Sequence, residues 1–189
     1  MKIILVSGSP RPHGNTQYVL EACAEEIRSK GLEAEVLSLA RKEIRACIAC
    51  NKCKTGDREC ILEDDSKPMF EKIATADGLI IGAPVYYGTA RGDVMNFVQR
   101  LAVYSAQHGR FLDGMVGGPI AVGRRGGHTA TLQEMLMYSY ITGMIVPGAN
   151  YWNMVFGYGP GEAQNDEEGL ATAKLFAGRC AELVKKLKA

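Results

Sequence analysis

No apolar run in this chain approaches the length that spans a bilayer. The N-terminus, Met1-Lys2-Ile3-Ile4-Leu5-Val6, is too short an apolar stretch for a secretory signal and runs straight into a glycine turn. A cytoplasmic location with no membrane partner is the expectation, and there thiols stay reduced. Charge of one sign is missing too. The formal net charge is +1, so there is no general attraction for nucleic acid or an acidic partner. The three histidines, His13, His108 and His128, lack metal-ligand spacing. Only His128 lies beside the loop that follows the fourth strand, and we read it as a loop histidine, not a proton donor. No Ser/His/Asp constellation and no paired-carboxylate site supports hydrolysis. There is no internal repeat, low-complexity tract or linker, so residues 1–189 read as one domain.

What is present alternates between strand and helix. Ile3 to Val6 is a continuous aliphatic run, typical of a strand buried on both faces of a parallel sheet. A helix follows the next loop, with Tyr18, Val19, Ala22 and Ile27 at helical spacing and Gly31 as its stop. Glu33 to Leu39 reads as a second strand, and a short helix capped by Asp65 or Ser66 runs to Ala74. Asp77 to Gly82 is a third strand, followed by a helix from about Gly92 to Tyr104. Gly117 to Val122 is a fourth strand, followed by a helix from about Ala130 to Thr142. Met144 to Pro147 is a short fifth strand, and a last amphipathic helix opens at Asn165 to Glu168. Acids at its start and lysines at its end both suit the helix dipole. Five strands alternating with five helices give an α/β fold, a doubly wound parallel sheet with helices on both faces.

In such sheets ligands lie beyond the carboxyl ends of the strands. Three distinctive loops stand at those ends. The first, Ser7-Gly8-Ser9-Pro10-Arg11-Pro12-His13-Gly14-Asn15-Thr16, joins a strand to a helix N-terminus, where free N–H groups and the dipole favour an anion. Ser7, Ser9, Asn15 and Thr16 add side-chain donors and Arg11 adds charge. Neither G-x-G-x-x-G nor Gly-Lys-Ser/Thr occurs in it, so a single phosphate monoester suits it better than a pyrophosphate. The second loop, Pro84-Val85-Tyr86-Tyr87-Gly88, suits a flat aromatic ligand. The third, Gly123-Arg124-Arg125-Gly126-Gly127, offers N–H groups and two arginines that would stabilise an anionic ring. Singly, the tyrosine pair reads as core or interface and the arginines as solvated; at three successive strand ends the loops converge on one pocket.

Cysteine is unevenly spread. Four of six cysteines, Cys47, Cys50, Cys53 and Cys60, fall within fourteen residues, inserted after the second strand. Cys23 and Cys180 lie on helices and read as inert core thiols. Clustered cysteines in a reducing compartment point to metal or redox ligands before disulfides. Structural zinc normally takes two separated pairs, and an overlapping triplet plus one fits it poorly. Four uncoordinated thiols in a surface loop are a further alternative.

Gly8-Ser9-Pro10-Arg11 with Asn15-Thr16, Gly82-Ala83-Pro84-Val85-Tyr86-Tyr87, and Gly123 to Gly127 resemble the flavodoxin-like NAD(P)H-dependent FMN reductases over essentially the whole chain. Cys47-x2-Cys50-x2-Cys53-x6-Cys60 is similar to the compact motif of the iron–sulfur flavoproteins of anaerobic archaea and bacteria. The resemblance implies strand order 2-1-3-4-5, bound FMN, and a [4Fe–4S] cluster on Cys47, Cys50, Cys53 and Cys60. It implies a phosphate held by Ser9, Arg11, Asn15 and Thr16. The flavin ring would lie against Pro84, Val85, Tyr86, Tyr87 and Gly88, with Gly123, Arg124, Arg125, Gly126 and Gly127 at its far edge. It implies homodimers or homotetramers, with NAD(P)H, ferredoxin or another donor supplying electrons for a small acceptor. Ligand spacing permits the cluster, with Thr55-Gly56-Asp57 as the turn before the fourth cysteine. Six basic residues (Arg41, Lys42, Arg45, Lys52, Lys54, Arg58) against two acids (Glu43, Asp57) would offset its negative charge and attract an acidic donor. A solvated cluster argues for the cysteine segment at a subunit interface. The alternatives are a cluster-free FMN or quinone reductase, a flavodoxin-like carrier, and a thiol or metal redox sensor.

Overall fold

The computed structural model describes residues 1–55 and 59–189. The Gly56-Asp57 part of the expected turn, and the Arg58 charge, lie outside the described residues. The aliphatic run forms β1 (Lys2–Ser7), and β2 (Glu33–Ser38) and β3 (Gly78–Tyr86) pair with it in parallel on either side. β5 (Val116–Gly123) lies beyond β3, and β6 (Met154–Phe156) forms the edge. The order is β2-β1-β3-β5-β6, with the two-residue β4 (Thr89–Ala90) antiparallel to the end of β3. The expected parallel, flavodoxin-like sheet is therefore present, with the fifth position filled by a later segment.

That difference has a local cause. Ile145 makes a single parallel bridge to Val116, with its N–H on the Met115 carbonyl and its own carbonyl accepting from Gly117. Two residues on, Pro147 has no N–H with which to continue a ladder. The chain leaves the sheet and rejoins it at Met154, opposite Ala121.

Side chains of β1 alternate between two cores, as a two-residue repeat requires. Ile3 and Leu5 face α1 (Asn15–Ser29) and α5 (Glu167–Lys188), with Leu20, Phe176 and Cys180 among their neighbours. Ile4 and Val6 face α2 (Ser66–Ala74), α3 (Gly92–Gln107) and α4 (His128–Ile141), with Phe70, Phe97 and Tyr138. Gly31 ends α1 at φ +81, donating its N–H to Arg28. The N-terminus of α2 is met neither by Asp65 nor by a side chain of Ser66. Asp64 supplies the carboxylate instead, accepting from the Ser66 N–H at 3.0 Å. Asp166 caps α5 at the Gly169 N–H, 3.0 Å, and also accepts the Phe156 N–H of β6 at 2.7 Å. Among the described residues no helix is long and apolar enough to cross a membrane.

Candidate functional site

The first loop is drawn tight by glycine. A Cβ on Gly8 would stand 2.2 Å from a Val94 methyl carbon and 3.1 Å from Pro84 Cδ, so only glycine lets β1 pass this close to β3 and α3. The Gly8 N–H donates to Gly82 at 2.9 Å, fixing where the loop begins. The Ser9 hydroxyl donates to the Arg11 carbonyl at 2.9 Å and accepts the Arg11 N–H at 3.1 Å, folding the loop on itself. The first helical bond of α1 runs from Tyr18 to Gly14, which leaves the preceding N–H groups of its first turn at the loop. Thr16 is buried there against β3.

The three loops meet around one cavity of ≈ 240 Å³. Of the residues expected at the site, Ser9, Arg11, Asn15, Thr16, Pro84, Val85, Tyr86, Gly123 and Arg124 line it. Tyr87, Gly88, Arg125, Gly126 and Gly127 do not. Tyr87 is fully exposed at the tip of the β3–β4 turn, in a left-handed conformation, φ +51. Gly88 and Gly127 are also left-handed, φ +88 and +85, and pack against each other. Arg125 and Gly126 are exposed in the bend that follows β5. The N–H side of the β3–β4 turn is held from α4: the Glu134 carboxylate accepts from the Ala90 N–H at 3.1 Å and from the Thr89 hydroxyl.

A fourth wall was not expected. Gly157 and Tyr158, just after β6, also line the cavity. Asn15 puts them there. Its side chain donates to the Gly159 carbonyl at 2.9 Å and accepts the Ala163 N–H at 3.3 Å. The residue expected to donate into the pocket thus spends its amide on fastening the wall. The Arg124 guanidinium lies 4.4 Å from the centre of the Tyr158 ring, a cation–π contact across the mouth. The only hint in sequence was the glycine- and aromatic-rich stretch from 148 to 161. Below the third loop, His128 is buried, with Nε2 3.2 Å from the Val155 carbonyl and its ring against Phe156. Burial holds its pKa below the usual histidine value, against the pull of the Val155 and Gly123 backbone. His128 is the first residue of α4, not the loop residue expected.

The cysteine segment forms a second hollow, of ≈ 190 Å³. Cys47, Cys50, Cys53 and Cys60 all line it, with Ile48, Ile61 and Val103 as apolar walls. Cys47 and Cys50 are exposed, Cys53 and Cys60 half-buried. Burial, then the neighbouring Cys60 thiol, push the Cys53 thiol above its ordinary value, and Cys47 and Cys50 add to it. Ala49 and Asn51 take left-handed backbone, φ +53 and +58, which turns the segment between successive cysteines. The Ala49 N–H donates to the Cys47 sulfur at 3.5 Å. Among the described residues, no three His, Cys, Asp or Glu side chains converge as they would on a single metal ion. Of the expected basic excess, Lys42 pairs with Asp65 at 2.9 Å and Arg45 with Glu43 at 3.3 Å, while Lys52 and Lys54 flank Cys53.

Residues 1–159 match the family model of the NADPH-dependent FMN reductases. The chain belongs to that family. As a member it is an FMN-binding, FMN-dependent oxidoreductase. Full-length similarity narrows its place within the FMN reductases. An iron–sulfur flavoprotein of Methanocaldococcus jannaschii is 38% identical over 195 residues, covering 100% of both chains. A second from the same organism is 32% identical over 197 residues, covering 98% of each. Among solved structures, a WrbA-like flavodoxin of Agrobacterium tumefaciens superposes with a TM-score of 0.70 at 19% identity, over 98% of each chain, which speaks to fold.

Proposed function

We propose that this FMN reductase family member is an iron–sulfur flavoprotein. On this reading it couples NAD(P)H or a ferredoxin-like donor to a small acceptor, with FMN in the strand-end cavity and a [4Fe–4S] cluster on Cys47, Cys50, Cys53 and Cys60. The observation that carries the cluster half is that all four cysteines of the motif line one hollow. A cubane is ligated around its periphery, one cysteine to each iron, which is the arrangement such a hollow suits. The full-length similarity to relatives named iron–sulfur flavoproteins supports the same reading.

The cavity fits FMN at both ends. The α1 N-terminus, Arg11 and Thr16 would receive the phosphate, with Ser9 shaping the loop and Asn15 bracing the wall. Pro84, Val85 and Tyr86 would lie against the ring, and Gly123 and Arg124 would stand at its edge. FMN supplies the redox chemistry when bound; the chain binds, orients and tunes it. No side chain is required as an acid or base, so we assign no catalytic residue. The outward face of α4, with Met137, Tyr140 and Ile141 exposed, supports a dimer or tetramer built on apolar contacts.

The test is the visible spectrum of protein purified without oxygen, with iron and acid-labile sulfide assays. Flavin bands over a broad shoulder, with about four irons and four sulfides per chain, are the expected result. Flavin without iron or sulfide would overturn the cluster and leave a second reading, the NADPH-dependent reductase that the family description names. Absence of flavin after saturation with FMN would overturn both.

A further inference from the structure

We propose that Arg100 is a positioning residue for the cysteine segment. One buried guanidinium would clamp both arms of the segment to α3 and hold Cys60 by its sulfur. The consequence for a cluster rests on the reading above; the clamp itself does not.

Arg100 is 4% exposed, and the side chain of its partner Asp64 is fully buried. On the incoming arm, Nη1 donates to the Arg45 carbonyl at 3.1 Å, two residues before Cys47. On the outgoing arm, Nη1 donates to Asp64 and, at 3.2 Å, to the Ser66 hydroxyl, while Nη2 donates to Cys60 Sγ at 3.6 Å. Asp64 repeats the bridge. It accepts the Arg45 N–H at 2.9 Å and the Ser66 N–H at 3.0 Å. The guanidinium carbon lies 5.9 Å from the centre of the Phe70 ring.

A plainer role, capping α2, does not account for this. Asp64 alone satisfies the Ser66 N–H, and a cap needs no buried cation. A buried ion pair is a poor source of net stability, because desolvation offsets most of its attraction. What a planar fork does well is fix several acceptors in one geometry, which the point charge of lysine cannot. Here those acceptors are the two ends of the cysteine segment and one of its sulfurs. Positive donors at a ligating sulfur also favour the more negative, reduced state of a cluster, which raises its reduction potential.

The experiment compares Arg100→Lys and Arg100→Met with wild type, as full-length protein purified without oxygen. Arg100→Lys keeps a charge beside Asp64 and guards against a variant that fails to fold, with FMN content as the folding check. Three quantities are read: hydrogen exchange at the amides of Arg45 and Ser66, iron per chain, and the midpoint potential from an EPR-monitored titration. We expect FMN content to stay at the wild-type level, both amides to exchange faster, iron occupancy to fall, and the remaining cluster to shift to lower potential. Unchanged exchange at both amides overturns the clamp. Faster exchange with unchanged iron and unchanged potential overturns the sulfur contact. If wild type itself holds no iron or sulfide, the cluster reading fails, and the exchange measurement still decides the clamp.

Discussion

The backbones of Gly88 and Gly127 touch: a Cβ on Gly127 would stand 2.7 Å from the Cα of Gly88 and 2.9 Å from a Val85 methyl carbon. This contact seats the β3–β4 turn against the loop before α4, so two walls of the cavity are set by one close approach. Gly127→Ala forces a left-handed alanine, which costs about 1–2 kcal/mol, and also pushes the two loops apart. We expect lower stability to urea and weaker FMN binding. Wild-type values for both would show that the loops are placed by other contacts.

This contact also shows what sequence could and could not reveal. Ile3 to Val6 and Gly78 to Ile81 announced buried parallel strands, because their aliphatic runs have one structural use. The three loops stand at strand ends for the same reason, but the second is mostly strand: β3 runs on through Pro84, Val85 and Tyr86, and only Tyr87 and Gly88 form the turn. Which side chains within a loop face the cavity was not legible. Tyr87 and Gly127 are grouped with the pocket by adjacency, whereas both take left-handed backbone and neither lines the cavity. Long-range fastenings were invisible. Nothing near Asn15 tells that its amide is spent on Gly159, and nothing near Cys60 points to Arg100. The edge strand was misplaced because Ile145 and Val146 look more strand-like than Met154 to Phe156, and the pattern does not register that Pro147 ends a ladder.

Asn15 ties α1 to the wall formed by Gly157 and Tyr158 through two hydrogen bonds, 2.9 and 3.3 Å long. Asn15→Ala should cost about 1–3 kcal/mol at roughly 0.5–1.5 per bond, read by urea denaturation. FMN should bind more weakly, and hydrogen exchange should rise at Ala163. Exchange at Ala163 that stays at the wild-type rate would contradict the fastening.

His128 makes stability depend on pH in a stated direction. Its folded pKa is depressed by burial, so the unfolded chain takes up the proton first. The stabilisation is fully present above the ordinary histidine value of about 6.5 and is lost as pH falls below it. Thermal midpoints should therefore drop on acidification from about pH 7.5 to pH 5.5. His128→Gln, which keeps a donor near the Val155 carbonyl, should flatten that slope. An equal slope in the variant would assign the pH dependence to other groups.

The two thiol populations should separate chemically. Burial pushes Cys23 up to about 12, with Glu26 adding to the rise and Lys174 opposing it. Cys180 is raised in the same way, by burial and then by Cys23. A thiol reacts as its thiolate, so both should resist iodoacetamide in the native fold near pH 8. Cys47, Cys50, Cys53 and Cys60 line an open hollow and should be alkylated in metal-free protein, Cys47 and Cys50 first because they are exposed. Mass spectrometry of the folded, metal-free chain should settle at four added groups, and unfolding in guanidinium should release the last two. Labelling of Cys180 at the rate of Cys47 would mean that α5 does not close the core as described. Protection of all four motif thiols only when iron is present would tie the same experiment to the cluster.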